Sequence, residues 1–228
     1  MRLTALRRIT TYKRVAILLC AVLVLLAPLA SADVPQRVEV RGGSVYLIDD
    51  KDHETRVTPE GGVTAEATLS RDKSKVAYVR SMRSTDGRKI SEIRIYHVAN
   101  RKEELVLEGP VMIGGREYSS FDSPKFSPDG DAVYFLFDWA VTTHGVARLD
   151  LKTLEVRFVV PALDFPAVVQ NGKYIGDLVV SQRRPTLSLD HYTLYYLFSP
   201  EGKEIGVVGE TEFDVGIFLD PDGDLAPK

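Results

Sequence analysis

Phe126-Ser127-Pro128-Asp129-Gly130-Asp131-Ala132-Val133-Tyr134-Phe135-Leu136-Phe137 reads as a tight turn running into a strand that is apolar on both faces. Proline presets φ at the second turn position, aspartate can bond its own backbone, and Gly130 takes the left-handed conformation that closes the turn. A half-exposed strand alternates apolar and polar residues; Val133 to Phe137 does not, so this strand is expected to be covered on both sides. The stretch has counterparts. Ser70-Arg71-Asp72 runs on to Val76-Ala77-Tyr78-Val79, and Ser188-Leu189-Asp190 runs on to Leu194-Tyr195-Tyr196-Leu197. All three read Ser-x-Asp, three residues, then aliphatic, Ala or Tyr, aromatic, aliphatic, at spacings of 57 and 61 residues.

A second element recurs between these. Val45-Tyr46-Leu47-Ile48-Asp49, Ile95-Tyr96-His97-Val98-Ala99-Asn100 and Val146-Ala147-Arg148-Leu149-Asp150 each precede a polar turn and another β run. Further short runs rich in Val, Ile, Tyr and Phe stand at Val156 to Val160 and Leu178 to Val180. Ser199-Pro200-Glu201-Gly202 and Asp220-Pro221-Asp222-Gly223 repeat the Pro-x-Gly turn chemistry. No run of about ten residues after position 33 carries a helical period. Many short strands punctuated by turns mean a sandwich, a barrel or a propeller, and repetition selects the propeller.

The N-terminus reads differently. Arg2, Arg7, Arg8, Lys13 and Arg14 form a basic segment without an acid, Ala16 to Ala30 is almost wholly apolar, and Ala30-Ser31-Ala32 is a small-x-small cleavage site. The apolar run of 15 residues is short against the roughly 20 of a membrane-spanning helix. Residues 1–32 are therefore expected to be a cleaved signal peptide, with an uncleaved anchor as the alternative; the mature domain, 33–228, is expected in the periplasm or secreted. Arg7-Arg8 is not continued as a twin-arginine signal, and Cys20 follows Leu18-Leu19 rather than the small residue that lipid attachment requires. Cleavage removes the only cysteine, so the mature domain depends on its core and not on disulfides. It also leaves 24 Lys and Arg against 32 Asp and Glu, a formal charge of −8, which argues against nucleic acid and anionic lipid as partners.

Phe126 to Phe135 resembles the WD40-like PD40 repeat of TolB-type β-propellers, a repeat shared with the propellers of prolyl-oligopeptidase-type enzymes. The match is good at Ser127, fair at Ser70, where Lys73 replaces the turn glycine, and poor at Ser188, where His191 does. It covers about residues 45 to 205. The resemblance implies an all-β fold, a small β-propeller after an N-terminal signal helix. At about 40–50 residues per blade the chain holds material for three and a half to four blades. A closed four-bladed ring is the expectation, with the hairpin at 45–58 joining a blade begun by the C-terminal strands; an open stack, or two chains completing one ring, are the alternatives. The repeat specifies a turn and a strand rather than a chemistry, so function must be argued from a site.

No Gly-x-Ser-x-Gly is present; Gly42-Gly43-Ser44 lacks the second glycine. His53, His97, His144 and His191 are isolated, without zinc-ligand spacing. Asp220-Pro221-Asp222-Gly223-Asp224 has the first half of a calcium loop but places Gly fourth and ends before a twelfth position, so a frayed acidic tail is the favoured reading. No cofactor or metal is expected. Propeller geometry points instead to one face, where loops between blades and loops between a blade's second and third strands meet: Ser81 to Lys89, Gly109 to Phe121, Trp139 to Gly145 and Pro161 to Gly176. Arg83, Arg116, Tyr118, Asp138, Trp139 and His144 are the candidate binding residues there, of types enriched at protein interface centres; Trp139 capping a blade beside solvated arginines is the plainer reading. TolB-like domains hold proteins in envelope complexes, so the resemblance implies a non-enzymatic binding or scaffold module with a protein partner in the cell envelope, possible variants being an inhibitor or immunity protein. The alternative is a small propeller lyase or hydrolase on a glycan, using Asp122, Asp138, His144 and Tyr118.

Overall fold

The Ser-x-Asp turn is a compact hydrogen-bonding device. In a computed structural model, which describes residues 34–58, 63–83, 85–185 and 191–220, the Ser127 hydroxyl donates to Asp129 Oδ1 at 2.5 Å and accepts the Ala132 N–H at 2.9 Å. Asp129 Oδ1 also accepts the Asp131 N–H at 3.0 Å. Ser70 repeats the pattern, donating to Asp72 at 2.6 Å and accepting from the Lys75 N–H at 2.9 Å. These donors hold both carboxyls below the usual carboxylate range, Asp72 down to about 2. Gly130 closes its turn at φ 71°, and Lys73 takes the same left-handed conformation at φ 60°.

Strands follow the turns in chain order. β1 (Arg37–Arg41), β2 (Ser44–Ile48) and β3 (Glu54–Arg56) form a three-stranded sheet, blade 1. Blade 2 comprises β4 (Val63–Leu69), β5 (Lys75–Arg83), β6 (Lys89–His97) and β7 (Lys102–Glu108). The hairpin of β8 (Val111–Ile113) and β9 (Arg116–Tyr118) leads to blade 3, made of β10 (Phe121–Phe126), β11 (Ala132–Ala140), β12 (Thr143–Asp150) and β13 (Val156–Ala162). Blade 4 holds β14 (Asp164–Val168), β15 (Leu178–Pro185), β16 (His191–Phe198) and β17 (Glu204–Gly209), and the helix α1 (Glu212–Leu219) follows. Neighbouring strands are antiparallel throughout.

The blades stack face to face, which explains the doubly apolar β11. Val133, Phe135 and Phe137 join Ala77, Val79, Ile93 and Ile95 of blade 2, whereas Tyr134 and Leu136 join Leu178, Val180, Tyr196 and Phe198 of blade 4. Blade 1 packs Val45 and Leu47 on Val76, Tyr78 and Tyr96. The inner strands β4, β10 and β14 lie side by side around a cleft of about 300 Å³ lined by Leu69, Phe126 and Val168. Each carries an irregularity at the same level, between Thr64 and Ala67, Asp122 and Lys125, and Asp164 and Ala167. Such bulges sharpen the bend of a strand. Among the described residues no helix is long and apolar enough to cross a membrane.

Several expectations need correction. The four sheets do not close into a ring. Blade 1 has three strands, and β2 corresponds to the third strand of blades 2 and 3: Asp49 Oδ1 accepts the Lys51 and His53 N–H groups at 2.8 Å after β2, as Asp150 Oδ1 accepts those of Lys152 and Thr153 at 3.0 Å after β12. The missing strand is therefore the innermost. Among the described residues nothing after β17 supplies it, because the chain enters α1 instead. That helix was not expected. It is eight residues long and interrupted by Gly216, so its period is faint, but Thr211 and Asp214 form a capping box: the Asp214 N–H donates to Thr211 Oγ1 at 3.2 Å and the Thr211 N–H donates to Asp214 Oδ2 at 2.8 Å.

The third repeat is out of phase as well. Leu194 to Leu197 lie on β16, the third strand of blade 4, and the second strand is β15. Both are central strands covered on two faces, so apolar pattern alone does not separate them. Pro161 to Gly176 is likewise no single loop: it holds the end of β13, all of β14 and a turn at the opposite end of the blade. The signal peptide, the Ser188-Leu189-Asp190 turn, and Asp222 and Asp224 lie outside the described residues; Asp220 is the C-cap of α1.

Candidate functional site

In a four-stranded antiparallel blade, the turn between strands two and three emerges at the same end as the link to the next blade. Arg83 ends β5, Arg116 and Tyr118 lie on the β8–β9 hairpin between blades, Asp138 and Trp139 end β11, and His144 begins β12. All six thus stand at one end of the blades, but they fall into separate groups.

The first group is aromatic. Trp139 stacks on Phe158 with ring centroids 4.5 Å apart, and Tyr118 meets Phe137 edge-on at 4.6 Å. Both rings are half-buried against the core between blades 2 and 3. Gly145 makes room for the cluster, since a Cβ there would stand 2.5 Å from Phe137 Cζ. Trp139 and Tyr118 are thus largely packing residues, and what they offer outward is their rims.

The second group is polar and lies on the other side of blade 3. Asp122 pairs with Leu136, and Leu136 with Val146; Asp138 and His144 stand two residues further along the same face, toward blade 4. His144 Nδ1 is 3.5 Å from Asp138 Oδ1, an ion-pair separation without a hydrogen bond. Asp122 Oδ1 is buried without a partner, as are His144 Nδ1 and the Tyr118 hydroxyl. Burial pushes the Asp122 carboxyl above its ordinary value, with Glu66 and Asp138 adding to the effect and His144 opposing it. Ser123, next along, holds φ 49°, uncommon for a residue with a side chain. Glu66 comes from the irregular part of β4 and had no local sequence signal. Among the described residues no three His, Cys, Asp or Glu side chains are grouped to hold a metal ion.

Arg83 and Arg116 are exposed, and Arg83 reaches no further than the Gly87 carbonyl at 3.4 Å. At the same end stand apolar tips, of which Met112 is already marked by the sequence of its loop, while Val141 and Tyr192 are not. Met112 on the β8–β9 hairpin is 60% exposed, Val141 at the β11–β12 turn is fully exposed, and Tyr192 near the start of β16 is 57% exposed. The signal that could have found Val141 is its place at the tip of a hairpin where a polar residue is ordinary.

No family model and no curated protein matches this chain. Solved structures do. TolB from Acinetobacter baumannii is similar at 16% identity and a TM-score of 0.51, over 74% of this chain and 38% of that one. The tricorn protease is similar at 16% identity and a TM-score of 0.51, over 75% of this chain and 15% of that one. This chain thus spans well under half the length of either. At such identity the likeness is one of fold: the protein folds as a small TolB-like β-propeller of four blades, left open.

Proposed function

We propose that this protein is an exported, non-enzymatic binding module, its mature domain 33–228 holding a protein partner of the cell envelope on the end of the blades that carries Arg83, Arg116, Asp138, Trp139 and His144. The observation that carries this reading is the exposure of Met112, Val141 and Tyr192 among those charged residues. Isolated apolar residues are ordinary on a surface; three on separate loops at one end, beside Trp and Arg, have the composition of an interface centre with a polar rim. The mature charge of −8 favours a basic partner.

The test is capture from envelope extract by the epitope-tagged full chain, beside a Met112→Ser, Arg116→Ala, Val141→Ser variant. These positions are exposed, so the variant keeps the fold, whereas replacing Tyr118 or Trp139 would also loosen the core. A protein retained by the native chain and lost by the variant supports the reading; equal retention by both places the contact elsewhere.

A second reading rests on the unpartnered Asp122 Oδ1 and His144 Nδ1 beside Asp138. A carboxyl raised by burial, beside a second carboxyl and a histidine, suits general acid–base work on a glycan. Turnover of a polysaccharide panel that vanishes in His144→Ala and in Asp122→Asn, with unchanged melting temperature, would favour the lyase or hydrolase over the binding module.

A further inference from the structure

A cleft of about 640 Å³ opens between blades 3 and 4 at the end opposite the face above, where the turns after β10, β12 and β16 meet. Its floor is a cross-strand row. Tyr134 pairs with Arg148, and Arg148 with Arg157, on three consecutive strands of blade 3. Tyr134 is 2% exposed, so the row is anchored on a buried ring.

Two arginines directly opposite each other on neighbouring strands repel. The protein relieves this only weakly. Arg148 Nη1 is 3.3 Å from Asp150 Oδ2, Arg157 Nη2 is 3.9 Å from Glu201 Oε1, and Arg157 also donates to the Pro200 carbonyl at 3.1 Å. The nearby Asp129 and Asp150 are themselves engaged by turn N–H groups and the Ser127 hydroxyl. A guanidinium presents five N–H donors in a planar fork that matches a carboxylate. Beyond these contacts and a hydrogen bond from Arg148 to the Tyr134 hydroxyl, most of the donors of the two forks find no partner among the described residues.

The rim has the opposite sign. Glu155 and Glu201 line it, and Asp177 follows Gly176 of the lining. Burial, with Glu201 adding to it, pushes the Asp177 carboxyl up to about 6. No hydrogen bond or ion pair reaches that carboxylate among the described residues. A purely anionic ligand would meet the rim acids and a purely cationic one the arginine floor.

We propose that the cleft between blades 3 and 4 binds a small zwitterion, a free amino acid or a short peptide, with its carboxylate on Arg148 and Arg157 and its ammonium toward Glu201 and Asp177. The site is separate from the opposite face and does not depend on the function proposed for it.

The experiment is calorimetric titration of the purified protein with three probes: L-alanyl-L-alanine, its N-acetyl derivative and its C-terminal amide. The expected result is saturable binding of the dipeptide with a Kd of about 1 mM or tighter, and at least about tenfold weaker binding of each blocked form. Arg157→Gln should lose the dipeptide about tenfold while keeping the native melting temperature, since Arg157 is half-exposed. Glu201→Gln should weaken the dipeptide but not the N-acetyl form. Absence of saturable binding at about 10 mM, undiminished binding by folded Arg157→Gln, or a blocked form that binds as tightly as the dipeptide would each overturn the proposal.

Discussion

Lys73 and Asp177 are the residues where local chemistry is least at ease. Lys73 occupies the position that Gly130 holds in the neighbouring blade, at φ 60°. The left-handed conformation costs a residue with a Cβ about 1 kcal/mol, and the offsetting gain is a surface contact from Lys73 Nζ to Gln36 Oε1. Lys73→Gly is expected to stabilise the protein by about 0.5–1 kcal/mol, read as a rise in the denaturation midpoint at unchanged slope. Asp177 shows the reverse of a salt-bridged carboxyl. Its folded pKa of about 6 lies above its ordinary 3.8, so the folded state binds the extra proton. The stabilisation is complete below about pH 4 and is lost as pH rises through 6. Asp177→Asn should therefore melt higher than the native protein at pH 7.5, by about 1 kcal/mol after allowing for solvent screening, with the gap closing by pH 4. A gap that persists at pH 4 would locate the effect elsewhere.

At the scale of elements, α1 does what a further blade would do. Val215, Phe218 and Leu219 cover Val169, Val179 and Leu197 on the last face of blade 4. Eight residues make a marginal helix alone, so its cap and its buried face hold it together. Thr211→Ala removes the N-cap acceptor for the Asp214 N–H and is expected to cost about 1 kcal/mol. Amide exchange should accelerate in α1 and over β15 and β16 while blade 2 keeps its protection. Uniform acceleration would mean that the helix is no separate unit.

At the largest scale, the described residues form a run of sheets with blade 1 at one end and α1 at the other. At one end blade 1 turns a charged face outward: Arg37 bridges Glu39 and Asp52 at 3.0 Å, Arg41 bridges Glu54 at 2.8 Å, and the Arg41 guanidinium lies 4.4 Å over the Tyr46 ring. At the other end stands α1. A polar outer face like that of blade 1 is what a terminal repeat needs to stay soluble, whereas α1 leaves Phe213 74% and Ile217 37% exposed. Truncation after Gly209 would bare Val169, Val179 and Leu197 and is expected to shift the protein to larger species in sedimentation velocity, whereas the native chain keeps its size at the same concentration. An unchanged sedimentation coefficient would show that the helix is dispensable as a cap.

Short-range chemistry was legible from the outset. Ser127-Pro128-Asp129-Gly130 states its own turn through neighbours no more than five residues away, and the doubly apolar Val133 to Phe137 states that sheets must lie on both sides of it. The candidate binding residues were placed at one end of the blades by counting turns, yet counting did not divide them: Trp139 and Asp138 are adjacent in sequence and project to opposite sides of blade 3. Nor did it pair Arg148 with Arg157, whose meaning depends on strand register. By itself, then, the sequence determined a repeating all-β architecture of turns and two-faced strands, because those features rest on local hydrogen bonds and side-chain size. Tertiary structure alone decided that Leu194 to Leu197 form a third strand and not a second, that blade 1 is without an inner strand among the described residues, and that a helix covers the last face of blade 4. Each of these depends on which distant strand is at hand to cover an apolar face, and central strands with the same pattern answer that question alike.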